Sequence, residues 1–417
     1  MSSAGSPRPL PFVACGDLGD VPHVVVDGAA GASTALSLSH WPASPTPRAL
    51  GRDLSAEIAF AYLDAPRWWC DEAQAATNDH VDQDGLAALY VLADPEHARE
   101  HRHVLVEIAR AGDFAVVDDD DAAQVAFALA VLGDPRRSPL ASRPPEAPAA
   151  PPARPTSVTP VPASDAWSRA CYPYLLDLLP RLVEQPRRHA EAGDSERCAL
   201  EVSRHVLADG RATIREIPSA GLAVVVVDES VGHVSGSRFC HEVTGPLHPA
   251  AIHGATRSPR VLVVQGRRYR YYDRYETWVR YESAALPRRR DLAMLARKLS
   301  TLESAATAWH ADSPGTLEPE LTHASDEESS LELGEVIEIV VRYLATSPPA
   351  WDPFAGESTL LVGPSGSGPS EPGPSEPGPS EPGPAEPGLS EPAASRGETS
   401  GRGRLRLRGR RLAPPST

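Results

Sequence analysis

From about Gly363 the chain repeats Ser-Glu-Pro-Gly-Pro with little variation, and this limits what can fold more than any other feature. Proline has a fixed φ and no N–H, and glycine loses the most freedom on ordering. The repeat has too few apolar side chains to offset that entropy, so it is expected to stay extended and disordered, outside any core. The whole chain carries 44 prolines in 417 residues. A second proline-rich stretch, Asp134 to Ser164, keeps no apolar period and reads as a linker. The foldable parts are therefore residues 1–133 and 165–355, separated by a Pro/Ala-rich linker at 134–164 and followed by a tail at 356–417. That tail ends in Arg402, Arg404, Arg406, Arg408, Arg410 and Arg411. Such a run is either a nucleic-acid or membrane-surface arm, or a solvated end that neutralises its own acidic repeat.

Residues 1–133 alternate between strand and helix patterns. Val21 to Asp27 is β-branched and closes on Asp27-Gly28, as a strand entering a turn does, and Thr34 to His40 reads as a second strand. Helical spacing predicts helices over Leu54 to Leu63 with Asp53 as cap, from Leu86 to Leu92, over His97 to Arg110, and over Ala122 to Leu132 behind Asp118 to Asp121. Beyond the linker, Asp165 is placed to cap a helix through Leu179, and Glu196 to Leu207 reads as another. Strands are expected at Ala212 to Ile217, Leu222 to Asp228, Val261 to Gln265 and Tyr269 to Tyr281, and helices at Asp291 to Leu302 and Leu333 to Leu344. The expected class is α/β: an N-terminal α/β unit followed by a strand-rich α+β unit.

Composition excludes several functions. A net charge of −16 argues against wholesale nucleic-acid binding. Lys298 is the only lysine, so a Walker-type phosphate loop is impossible and a Schiff base has one place to form. The five cysteines are scattered without a Cys-x-x-Cys pair, which disfavours a disulfide framework or thiolate zinc knuckle. No secretory signal is evident, and the longest aliphatic run, Leu222 to Val227, is far too short for a bilayer. A soluble, cytoplasmic protein with no membrane partner is expected. Neither a Gly-x-Ser-x-Gly elbow nor a dinucleotide fingerprint occurs.

One constellation carries chemistry: His80-Val81-Asp82-Gln83-Asp84-Gly85. On extended backbone, positions i, i+2 and i+4 share a face, so His80, Asp82 and Asp84 can converge on one cation. Imidazole with carboxylates suits Mn²⁺ or Mg²⁺ rather than a thiolate-seeking ion. Gly85 would permit a sharp turn into the helix at Leu86, whose free amides could hold a phosphate. A plain alternative has Asp84 as a helix cap and His80 as a polar strand-end residue.

The motif resembles the first motif of the DHH phosphoesterases, which carry His-x-Asp-x-Asp at a strand end followed by a small residue and a helix. The resemblance implies a DHH-like N-terminal unit, metal ligation by His80, Asp82 and Asp84, and a catalytic part for Asp84. Asp113, in Gly112-Asp113-Phe114, stands in for the second-motif aspartate and would assist catalysis. The Asp-His-His triplet and the Gly-rich, His-ending substrate loop of those enzymes do not occur in this chain. Across most of its foldable length the chain is similar to a family of uncharacterised bacterial proteins. The likeness rests on Val25-Val26-Asp27-Gly28, Leu38-Ser39-His40-Trp41-Pro42, the His80 motif, Gly112-Asp113-Phe114, Arg274-Tyr275-Glu276-Thr277-Trp278 and Pro348-Pro349-Ala350-Trp351-Asp352-Pro353.

Other residues offer weaker signals. His40 could approach the same strand-end face, or could simply hydrogen-bond beside Trp41. Asp27 sits where α/β folds collect ligands, yet a turn-forming Asp-Gly explains it equally. His233, His241, His248 and His253, with Cys240 adjacent, lack a metal signature and read as loop histidines. Arg267, Arg268, Arg270, Arg274 and Arg280 interleave with Tyr269, Tyr271, Tyr272, Tyr275 and Tyr281; this is either a phosphate- and base-binding strip or ordinary two-faced strand packing. Asp352 reads as a packed anchor. The expectation is a divalent-metal-dependent phosphoesterase acting on a phosphorylated small molecule or short oligonucleotide. The alternative is a non-catalytic relative serving as a binding or scaffold module.

Overall fold

The computed structural model describes residues 7–142, 162–304, 308–323 and 328–355. Most of the proline-rich linker and all of the repeat tail lie outside the described residues. Residues Met1–Gly363 form one contact unit.

Its first sheet is small and parallel. β1 (His23–Val26) lies between β2 (Thr34–Leu38) and β3 (Ala75–Thr77), with Val26 opposite Leu38 and Val25 opposite Thr77. Every residue of β1 is buried, as expected for parallel strands covered on both faces. Because all three strands run the same way in close register, Asp27, His40 and Asn78 leave the sheet at one end.

Helices follow in sequence: α1 (Ser55–Leu63), α2 (Gln83–Ala93), α3 (Pro95–Glu100), α4 (Arg102–Asp113) and α5 (Asp120–Gly133). α1 packs on α2, α2 on α4, and α4 on α5. Residues Gln83 to Leu92 of α2 are all buried, so this helix is apolar around its circumference and central to the layer. The helix expected over His97 to Arg110 is broken at His101, whose backbone (φ −107°, ψ 18°) is not helical. Asp94 stops the preceding helix and caps α3 by accepting from the His97 N–H at 3.2 Å.

α6 (Pro162–Glu184) begins earlier and ends later than the Asp165–Leu179 expectation, and it contains Pro173 and Pro180. Its buried stripe of Cys171, Tyr172, Leu175, Leu179 and Leu182 joins the largest apolar cluster of the molecule, which sustains the helix through both prolines. Tyr275, Trp278 and Val279 enter that cluster from further along the chain. After α7 (Pro186–His189) and α8 (Asp194–Ala208) come β4 (Ala212–Ile217), β5 (Leu222–Val227), and a hairpin of β6 (Val234–Arg238) with β7 (His241–Gly245).

α9 (Pro249–Ala255) then crosses to β8 (Arg260–Gln265), which pairs in parallel with β5. β9 (Arg268–Asp273), α10 (Ala293–Ser300), β10 (Trp309–Ala311), β11 (Glu320–His323) and α11 (Leu333–Thr346) complete a mixed six-stranded sheet of order β10-β11-β9-β8-β5-β4. Alternation along β5 sends Leu222 and Val224 to the face covered by α10 and α11. Val225 and Val227 face Val206 of α8 and Ile252 of α9. The class is α/β with mixed sheets. No described helix is long and apolar enough to cross a membrane.

Two expectations change here. The strand expected over Tyr269 to Tyr281 stops at Asp273, and Tyr275–Thr277 is a single helical turn. Its arginines also face carboxylates: Arg270 meets Glu320 at 2.6 Å, Arg274 meets Glu276 at 2.5 Å, and Arg267 and Arg268 approach Glu328. Tyr269, Tyr271 and Tyr272 are core residues. Strand packing with ion pairs accounts for the tyrosines, Arg270 and Arg274, while Arg267 and Arg268 are about half exposed beside Glu328.

Candidate metal centre

Asp27 follows the last residue of β1 at φ 45°, the left-handed region that non-glycine residues occupy at a cost of about 1–3 kcal/mol. The strain turns the chain sharply and aims the carboxylate across the strand ends. Ser55 donates its hydroxyl to Asp27 Oδ1 at 2.8 Å. His40, at the end of β2, brings Nε2 to 3.2 Å from the same oxygen. Its Nδ1–H donates to the Asp53 carbonyl at 2.6 Å, which fixes the tautomer and presents Nε2 to the acids. That Nε2 lies 3.5 Å from Asp113 and 3.8 Å from Asp84.

His80 repeats the device. Its Nδ1 meets Asp79 at 2.9 Å, and its Nε2 faces Asp82 at 2.9 Å and Asp27 Oδ2 at 3.5 Å. An imidazole held at one nitrogen by a carboxylate or carbonyl, with the other nitrogen turned to acids, is the usual support of a metal-ligating histidine. Two groupings result, Asp27-His40-Asp84 and Asp27-His80-Asp82, and in each the ligand atoms lie within 4.8 Å of one another. They share Asp27, which turns Oδ1 to one and Oδ2 to the other.

The motif thus does not converge as an extended strand would. Helix α2 starts at Gln83, and Asp82 is its cap, accepting from the Gly85 N–H at 2.8 Å. Asp84 is already helical and points away from His80, accepting from the Ser55 and Ala56 N–H groups at 2.7 Å each. These are the free amides at the start of α1, where a carboxylate is favoured. Asp53, expected as the cap of α1, accepts instead from the backbone of Glu282 and Ser283. Gly85 has no left-handed φ, so a sharp turn is not its purpose. A Cβ there would stand 2.2 Å from Asn78 Nδ2.

The electrostatics are those of a site short of positive charge. Asp27, Asp82, Asp84 and Asp113 are each at most 5% exposed, and His40 and His80 are the only imidazoles facing them among the described residues. Burial and the charge of Asp27 push Asp84 up to about 8 against the pull of His40 and the Ala56 amide. Burial and the charges of Asp84, Asp82 and Asp27 raise Asp113 well above the ordinary carboxylate range, despite Arg238 nearby. Asp113 is the last residue of α4, the negative end of the helix dipole, which further disfavours an anion and favours a cation. Burial alone would raise Asp27 and lower His40. Their mutual hydrogen bond and opposite charges prevail, holding Asp27 well below its usual range and raising His40 to about 9. His80 is likewise raised well above its ordinary value by Asp82, Asp27 and Asp79, against burial.

Both oxygens of Asp113 and Oδ2 of Asp27 are buried without a hydrogen-bond partner among the described residues. An unpartnered buried carboxylate costs several kcal/mol, so protons or cations must fill the gap. The donor set of aspartate oxygen and imidazole nitrogen fits a hard divalent cation.

A pH dependence follows for the chelated protein. Asp84 has a folded pKa raised to about 8, so the folded state holds a proton the unfolded chain releases, and this contribution falls as pH rises. His40, raised to about 9, stabilises below its unfolded value and loses that stability as pH passes 9. Both have the same sign. Thermal melts of chelated protein should therefore fall from pH 6 to pH 9. Added Mn²⁺ should do the opposite, with a larger melting-temperature gain at the alkaline end, because it replaces those protons. A flat chelated profile would contradict this account.

Of the residues singled out by sequence, the structure brings His80, Asp82, Asp84 and Asp113 together with Asp27 and His40. It does not gather the second histidine group. His233 meets Gln265, His248 caps α9, and His253 is buried between the Phe114 carbonyl and Tyr272. Asp352 pairs with Arg288 at 2.8 Å. Sequence reasoning missed Asp79 and Asn78, which position His80, and placed Tyr275 in the arginine-tyrosine strip rather than at this site, where its hydroxyl lies 3.4 Å from His40 Nε2. Asp79 precedes the motif directly, and that adjacency was its only available signal.

The chain belongs to a family of unknown function, DUF6687, whose model matches residues 8–355. No curated protein and no solved structure matches it.

Proposed function

Starting from a family that lends no activity, we propose that this chain is a divalent-metal-dependent phosphoester hydrolase with two neighbouring cation positions bridged by Asp27. The carrying observation is that single carboxylate facing both histidine-acid groupings. His40 and Asp84 would hold one cation and His80 and Asp82 the other, Mn²⁺ or Mg²⁺ by donor type. The reading extends the likeness of His80-x-Asp82-x-Asp84-Gly85 to the DHH phosphoesterases, with Asp27 and His40 as added ligands. Bound cations would supply Lewis acidity toward a phosphoryl oxygen and a lowered pKa for an attacking water.

The chain's own groups do the rest. Nδ1 contacts hold both imidazoles ready, and the α1 amides anchor Asp84. Asp113, unbonded at both oxygens, is the group placed to take a proton. The His80 side chain is 28% exposed and its ring lies tilted against Trp41 with centroids 5.1 Å apart, which marks the way in for a phosphorylated small molecule or short oligonucleotide. Five cysteines without a disulfide support a reducing, cytoplasmic setting. Enclosure of Asp27, His40, Asp84 and Asp113 favours the second reading, a non-catalytic binding module that keeps the cations for stability.

One experiment separates them. Full-length chelated protein is titrated with Mn²⁺, followed by thermal melting, and then assayed on short oligonucleotides. Saturation at a hundredfold excess over Kd should add about 2.7 kcal/mol per cation position, and Asp82→Ala, which loses a ligand of one position, should gain clearly less than wild type. Equal gains in both proteins defeat the metal reading. Metal binding without cleavage, at rates indistinguishable from Asp113→Asn, supports the binding module instead.

A further inference from the structure

A second set of ligand-type side chains lies apart from the centre just described and shares no residue with it. His97 of α3, His101 at the break before α4, and Glu184 at the end of α6 place one ligand atom each within 4.8 Å of one another. His97 Nε2 is 3.3 Å from Glu184 Oε1, and the two imidazole rings lie 4.4 Å apart. His97 and His101 are four residues apart, so they fall on the same side of the α3–α4 corner.

We infer that His97, His101 and Glu184 form a zinc site that clasps the end of α6 to the α3–α4 corner. Three further observations support it. First, the Tyr90 hydroxyl lies 2.7 Å from His97 Nδ1. In this structure Nε2–H donates to Glu184; a zinc ion would take the place of that proton, with Nδ1–H then donating to the phenol and fixing the ring. Second, Glu184 is the last residue of α6, where the helix dipole attracts a cation. Third, the donor set of two imidazoles and one carboxylate suits zinc with an open fourth position, and the 51% exposure of Glu184 leaves it reachable from solvent.

The ion would act as a clasp, with water completing its coordination. The last turn of α6 is held by Leu179, Leu182 and Val183 on its inner side, and the clasp would fasten its outer edge. The competing arrangement is a plain hydrogen-bond chain from Tyr90 through His97 to Glu184, which needs no metal.

Equilibrium dialysis and calorimetry with Zn²⁺ on the full chain decide between them. All variants are made in an Asp27→Asn background so that the main centre is weakened equally throughout. The parent should bind one more zinc equivalent than His101→Ala or Glu184→Gln, and Co²⁺ should give the parent a tetrahedral visible band that both variants lack. Tyr90→Phe should keep the equivalent but bind it about tenfold more weakly. Circular dichroism checks that each variant is folded. Identical zinc stoichiometry and affinity in the parent and both folded ligand variants overturns the proposal.

Discussion

Asp27→Asn is expected to yield a folded protein that has lost cation binding at the strand ends and with it any phosphoester turnover. Asparagine has nearly the same volume and is among the few residues that accept a left-handed φ, so the turn after β1 at φ 45° survives. It can still accept the Ser55 hydroxyl. What it cannot supply is a charged oxygen toward each of His40 and His80. Removing supporting contacts alone costs a metal site about 10–100-fold, and a shared ligand should cost at least the upper figure. The change in melting temperature on adding Mn²⁺ is the direct readout. Wild type should gain several degrees and the variant almost none, and the chelated variant should itself melt lower because His40 and His80 lose their anionic partner. If Asp27→Asn keeps the full Mn²⁺ response, Asp27 bridges nothing and the two-position centre is wrong.

Gly85→Ala should damage the same centre from outside the ligand set. By helix propensity alone the change would stabilise α2 by about 1 kcal/mol. Sterics reverse the sign. The new methyl group would stand 2.2 Å from Asn78 Nδ2 and 2.9 Å from the Tyr172 hydroxyl. Asn78 is fully buried and cannot swing aside without loss, because its amide donates to the Asp27 carbonyl and its oxygen accepts from the His80 N–H. Tyr172 is tied to the His80 carbonyl. Overpacking of this kind costs about 1–3 kcal/mol, so a net loss of stability is expected. Displacing Asn78 also shifts the backbone of two ligands, and Mn²⁺ should bind about tenfold more weakly. A variant melting above wild type with unchanged Mn²⁺ affinity would show that Asn78 carries no such burden.

Several features of the site were legible in sequence because they depend on neighbours a few residues away. The strands ending near Asp27 and His40 follow from β-branched runs closed by turn residues, and the helix after Asp82 from a cap followed by an apolar stretch. His80 and Asp82 are two residues apart and do face each other. Asp113 was marked as a stand-in acid, and the end of α4 carries it to His40. Other features were hidden. Asp84 was expected beside Asp82, but α2 starts at Gln83, three residues before the expected Leu86, and this turns Asp84 toward α1. The arginine and tyrosine strip of β9 looked able to bind phosphate until its partners arrived from β11 and beyond.

The amino-acid sequence alone determined which side chains had metal-ligand chemistry and where most strands and helices would form. These are local matters, set by propensity, capping and alternation within a turn or two. Tertiary structure decided which ligands meet. Parallel register brings Asp27, His40 and Asn78 to one edge, and the phase of α2 turns Asp84 to the amides of α1. Contacts between residues tens of positions apart depend on the path of the whole chain, and no local rule carries that information.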